Sequence, residues 1–98
     1  MDGSRRLQRN REIVYREEGD GAFVFDPASG NLKFMNRTAR EAFLLLDQPR
    51  EVDTVVERFS RLYPAVDGER IRSDLLAFLT EIERNGFVSA VQAEPGGE

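Results

Sequence analysis

Cysteine, histidine and tryptophan are absent from the 98 residues, and lysine occurs once, as Lys33. Without cysteine there are no disulfides and no thiolate metal sites, a pattern that fits a reducing cytoplasm. Without histidine the commonest general acid/base and the commonest metal ligand are both missing. No apolar run approaches the about 18 residues needed to cross a bilayer, and no signal-peptide core follows the N-terminus, so no membrane role is expected. The chemistry that remains is thin. Serine and threonine hydroxyls have only Lys33 as a possible activating base. The acidic cluster Glu17, Glu18 and Asp20 sits in a turn, and Glu51 and Asp53 sit at a helix start, where they complement the helix dipole. Glu81 and Glu83 are two apart and do not share a helix face. Asp20, Asp26 and Asp47 lack calcium-loop spacing, and there is no glycine-rich phosphate loop. Binding is therefore expected, not catalysis, with no cofactor and no metal.

The chain suits one domain, and its net charge of −4 argues against duplex nucleic acid as the main partner. Residues 1–11, with Arg5, Arg6, Arg9 and Arg11, read as a disordered basic arm, because they are polar and aperiodic. The ordered domain is expected over 12–91, and a disordered tail containing Pro95, Gly96 and Gly97 over 92–98.

Within 12–91 three short strands come first. Ile13 to Tyr15, β-branched and aromatic, and Ala22 to Phe25 read as strands, and the cluster Glu17 to Gly21 turns between them. Asp26-Pro27-Ala28-Ser29-Gly30 is a second turn, leading to a strand from Asn31 to Met35. Alternation there puts Leu32 and Phe34 on one face and Lys33 and Met35 on the other. The period then becomes helical. Asn36 is a natural N-cap for a helix through Leu46, a second helix spans Val52 to Tyr63, and Asp67 precedes a third over 68–85. Asn85-Gly86-Phe87 marks the stop, and Phe87 to Val91 can form a final strand. The expected class is α+β and winged-helix-like: a three-stranded antiparallel sheet followed by three helices.

An exposed strand edge offers unpaired backbone groups that an extended peptide can satisfy. The third strand is the candidate edge. One flank of the third helix would form the opposite wall of a groove, with Arg70, Ser73, Asp74 and Ala77 at spacings of three and four and Glu81 beyond them.

These residues resemble a known family. Gly21-Ala22-Phe23-Val24-Phe25-Asp26-Pro27, Gly30-Asn31-Leu32-Lys33-Phe34-Met35-Asn36 and Ala39 are similar to the "LFDP…TG…LN…A" run of PqqD-like proteins. Val66-Asp67, Arg72 to Leu79 and Glu83-Arg84-Asn85-Gly86-Phe87 are similar to that family's ending, so the likeness spans about residues 12–91. It implies a recognition element for ribosomally synthesised, modified peptides. Such an element docks a precursor's leader segment as an added strand and presents it to a modifying enzyme, often a radical-SAM maturase. Carried over by position, the peptide site comprises Leu32, Lys33, Phe34 and Met35 with Arg70, Ser73, Asp74 and Ala77. Phe34-Met35 and Phe87 depart from the commoner leucines, which bears on the shape of the pocket. Two other readings stand beside this one. A winged-helix DNA-binding regulator would have to use a third helix in which Arg70, Arg72 and Arg84 face Glu69, Asp74, Glu81 and Glu83, a poor match to phosphate. A self-associating module would pair the same strand edge with its own copy, so both monomer and homodimer are open.

Overall fold

The computed structural model describes residues 1–92. The element order is β1 (Arg6–Arg9), β2 (Val14–Glu18), β3 (Gly21–Phe25), β4 (Leu32–Met35), α1 (Arg37–Leu45), β5 (Arg50–Glu51), α2 (Val52–Leu62), α3 (Gly68–Arg84) and β6 (Val88–Val91). The strands form two three-stranded sheets, β2-β3-β4 and β5-β1-β6.

The first sheet is the expected antiparallel meander. Its register sets Val14 against Phe25 and Arg16 against Phe23, then Phe25 against Leu32 and Phe23 against Phe34. Glycines at positive φ, Gly19 (58°) and Gly30 (81°), close its two turns. In the second turn the Asp26 carboxylate accepts from the Ala28 amide (3.0 Å) and the Ser29 hydroxyl (2.8 Å). Asp26 is the one charged side chain buried among the described residues. At Gly21 no side chain fits, because an added Cβ would run into the Met35 carbonyl.

The inner face of the meander meets the helices. Met35, Val24 and Ile13 join Ala42, Phe43 and Leu46, then Val52, Val55 and Phe59, then Ile71, Leu75, Leu79 and Ile82 in one core. Tyr15 stacks on Phe43 with ring centroids 6.1 Å apart. Burial, and then the Glu17 carboxylate that its hydroxyl donates to, hold the Tyr15 phenol above its ordinary titration range. The helix boundaries follow local chemistry. The Asn36 side chain accepts from the Ala39 amide (2.9 Å), capping α1 as its sequence position suggests. At the end of α3, Gly86 adopts φ of 87°, Phe87 donates its amide to the Ile82 carbonyl (2.9 Å) and Gly86 donates to Glu83 (3.1 Å). This is a complete Schellman closure, and the ring of Phe87 is buried beneath it. Asp67 precedes α3 but makes no side-chain cap bond.

Two expectations are corrected here. A single sheet followed by three helices is not the arrangement: β1 precedes the meander, β5 sits between α1 and α2, and β6 follows α3. Residues 1–11 are also not a disordered arm. Arg6 to Arg9 are the central strand of the second sheet, paired with β6 along their whole length and with β5 at Arg6 and Leu7. Three interactions hold the segment. Leu7 is fully buried in the core. The carbonyls of Gly3 and Arg5 accept the first amides of α2, from Asp53 and Val52 (both 2.9 Å), and so satisfy donors that no capping side chain covers. Two of the arginines, Arg5 and Arg9, find partners within the fold. Arg5 pairs with Glu83, whose carboxylate raises its already high proton affinity, and the Arg9 guanidinium lies 5.5 Å from both the Tyr15 and Phe43 ring centroids. The predicted final strand forms as β6, because β1 is there to receive it. Of the expected tail over 92–98, residues 93–98 lie outside the described residues.

The integrated first strand gives a stability prediction. Leu7→Ala should lower the unfolding free energy by about 2–5 kcal/mol, as for other fully buried leucines, measured by urea denaturation. A change near zero would mean that the segment is not part of the folded core.

Candidate functional site

The meander ends at β4, which pairs with β3 on one side and with no strand on the other among the described residues. The polarity of this edge follows from the ladder. The Asp26 amide donates to the Asn31 carbonyl (2.8 Å), and hydrogen-bonded positions alternate along an antiparallel pair. Lys33 and Met35 therefore bond to β3, and the N–H and C=O groups of Leu32 and Phe34 point to the open edge. The short separation of the Phe23 and Phe34 rings, 5.1 Å in an edge-to-face arrangement, fits a non-hydrogen-bonded pair, in which side chains approach closely.

The α3 helix runs alongside β4 and is tied to it at one end. The Asn31 side-chain amide donates to the Asn85 carbonyl, and the Lys33 ammonium donates to the Glu81 carboxylate, each at 2.9 Å. At the other end of β4 the space between the elements opens. A cavity of about 420 Å³ lies where Asn36, Thr38 and Ala39 meet Asp74, Leu75 and Phe78 of α3, floored by Phe59, Tyr63 and Ile71. The Tyr63 hydroxyl donates to Glu41 (3.1 Å), which holds its ring in place. The lining is mostly apolar, and Asp74 is the one ionisable carboxylate on it. Its partner is Arg70, 3.7 Å away, and both side chains are more than two-thirds exposed. This pair is therefore loose and contributes little to stability.

The residues singled out in the sequence thus divide. Lys33 and Asp74 face the space between β4 and α3, and Ala77 lies beside Glu81 on the same side of the helix. Arg70 and Ser73 are exposed nearer the start of α3. Leu32 and Phe34 are 64% and 53% exposed, on the opposite face of the strand from Lys33. Met35 is corrected: its side chain is 1% exposed and belongs to the core, and its backbone groups are already bonded to β3. The cavity itself was not legible. Thr38, Ala39, Phe59 and Tyr63 come from two helices distant in sequence, and Phe78 reads as one more core residue of the α3 stripe. Among the described residues no group of His, Cys, Asp or Glu is placed to hold a metal ion, and no helix is long and apolar enough to cross a membrane.

The division of α3 into a core face and a cavity face can be measured. Leu79 is fully buried, whereas Phe78 is only partly buried at the cavity wall. Leu79→Ala should lose about 2–5 kcal/mol in denaturant titrations, and Phe78→Ala less than half as much despite its larger ring. Equal losses would place Phe78 in the core and close the cavity.

Comparison with known proteins agrees with this geometry. The chain folds like the solved structure of TbiB1 in complex with the TbiA(beta) leader peptide, with a TM-score of 0.75 over 88% of this chain and 99% of that one, at 15% identity. No curated protein sequence matches it. The family model for coenzyme PQQ synthesis protein D (PqqD) matches residues 21–88, which run from the start of β3 to the first residue of β6 and so contain β4, α3 and the cavity where α1 and α2 meet α3. The chain belongs to the PqqD family.

Proposed function

We propose that this chain binds the leader segment of a ribosomally synthesised precursor peptide and presents it to a modifying enzyme, without performing chemistry itself. The observation that carries the reading is an unpaired strand edge lying beside an apolar cavity on one side of α3. An extended peptide added to β4 satisfies the open backbone groups of Leu32 and Phe34. Every second side chain then points toward α3, past Lys33, and one large apolar side chain fills the cavity between Ala39, Leu75 and Phe78. Backbone pairing supplies sequence-independent affinity, and the cavity supplies selectivity. Asp74, with Arg70 and Ser73 on the same helix, forms the polar rim, beside the small Ala77. Membership of the PqqD family and the likeness to a solved protein held with a leader peptide both support this reading. A radical-SAM maturase is the enzyme class that the family resemblance favours as the recipient, and a cytoplasmic setting is the one in which a newly made precursor would be met.

Blocking the edge tests the mechanism. Proline is tolerated on an edge strand where its missing N–H would face solvent, so Phe34→Pro should keep the fold. Fluorescence anisotropy with a labelled leader from the precursor encoded beside this chain should show saturable one-to-one binding to the native protein. Affinity should drop at least about tenfold for Phe34→Pro, and much less for Phe34→Ala. Equal binding to the native and proline forms would contradict strand addition.

A further inference from the structure

The outer face of the β2-β3-β4 sheet is apolar where it reaches the open edge. Five large hydrophobic side chains point outward from it: Val14 (53% exposed), Phe23 and Phe25 (38% each), Leu32 (64%) and Phe34 (53%). The register makes them contiguous. Val14, Phe25 and Leu32 form one row across the three strands, and Phe23 and Phe34 stand side by side in the next, ended by Arg16 on β2. Single exposed hydrophobic residues are ordinary, but a continuous cross-strand block on a small protein marks a contact surface. The block is separate from the cavity, whose lining includes none of these five residues. Leu32 is its most exposed member, Phe34 is as exposed as Val14, and Leu32 and Phe34 are the two residues of the block whose backbone groups face the open edge of β4.

From this coincidence, and resting on the strand-addition reading, we infer that Leu32 and Phe34 form a second recognition strip that reads the outward-facing residues of the bound peptide, so that the ligand is a strand apolar on both faces. The physical reason is cross-strand pairing. A residue placed opposite Leu32 or Phe34 exchanges backbone hydrogen bonds with it and has its own side chain on the same face. Against water an outward peptide side chain gains nothing by being apolar. Against Leu32 and Phe34, backed by Phe25 and Phe23, an aromatic or β-branched side chain covers exposed hydrophobic surface on both partners. The ligand class is thus narrower than an amphipathic strand with one apolar face for the cavity. It is a short run with hydrophobic residues at consecutive positions, of which alternate members serve the cavity and the strip. Gly21 makes room for the strip: a Cβ there would meet the tip of the Phe34 ring at 2.9 Å.

The experiment is a display selection of a random twelve-residue peptide library on the full chain, run in parallel on the native protein, Leu32→Ser and Phe34→Ser. Both substitutions are at exposed positions, and amide spectra confirm that each variant is folded. The native protein should enrich peptides with hydrophobic residues at both alternating sets of positions. Each serine variant should lose the preference at one set only. For the strongest native peptide, replacing an outward residue by serine should weaken binding about two- to fivefold per position. The same replacement should have no effect on Phe34→Ser protein if the outward residue lies opposite Phe34. Enrichment at one alternating set only, unchanged in both variants, overturns the strip and leaves strand addition standing. A library that yields no saturable peptide overturns both.

Discussion

Burial of Met35 decides what β4 can present. Its side chain is buried in the core that also holds Val24, Ala42 and Phe43, and from that anchor alternation dictates every other direction along the strand. Lys33 must turn toward α3, and Leu32 and Phe34 must turn outward. A slip of one residue would bring Phe34 into the core and expel Met35, and two local features oppose it. The carbonyl of Met35 occupies the space that a side chain at Gly21 would need, and the Asp26 turn fixes the length of the loop between β3 and β4. The polarity of the edge is therefore a consequence of packing on the opposite face.

The second sheet explains how so small a chain holds α3 in place beside that edge. The β6 strand leaves the helix through the Schellman turn and is paired by β1, and just before β1 the carbonyls of Gly3 and Arg5 cap α2. Arg5 reaches Glu83 from the same segment, and the Asn10 side-chain amide donates to the Gly86 carbonyl (2.6 Å). The N-terminal residues thus brace the C-terminal turn of α3, the end tied to β4 through Asn85 and Glu81. The start of α3 is tied instead to α2, through Arg72 and Asp53 (2.8 Å), and the cavity opens beside Asp74 and Phe78 between the two.

Much of this was legible in the residues because side-chain period and backbone geometry agreed. The alternation of Leu32 to Met35, the cap at Asn36 and the stop at Asn85-Gly86-Phe87 all express local rules that the tertiary structure preserves. The β1 strand was not legible, for a physical reason. It contains one apolar residue, Leu7, among arginines and a glutamine, and its stability comes from backbone pairing and from α2 donors that carry no side-chain signature. Alternation sets Met35 on the face of Lys33, and that this face passes into the core at Met35 depends on long-range packing that the spacing does not encode. The cavity escaped because it depends on Phe59 and Tyr63 converging with Ala39 and Phe78, a long-range arrangement that no local spacing encodes.

The central claim is that an incoming strand pairs with the outward backbone groups of β4, and amide hydrogen exchange reads this residue by residue. With the chain saturated by a leader peptide, exchange at Leu32 and Phe34 should slow strongly, while Lys33 and Met35, already bonded to β3, should change little. Exchange at Leu32 and Phe34 that stays unaltered at saturation, with protection confined to the helices, would contradict the account.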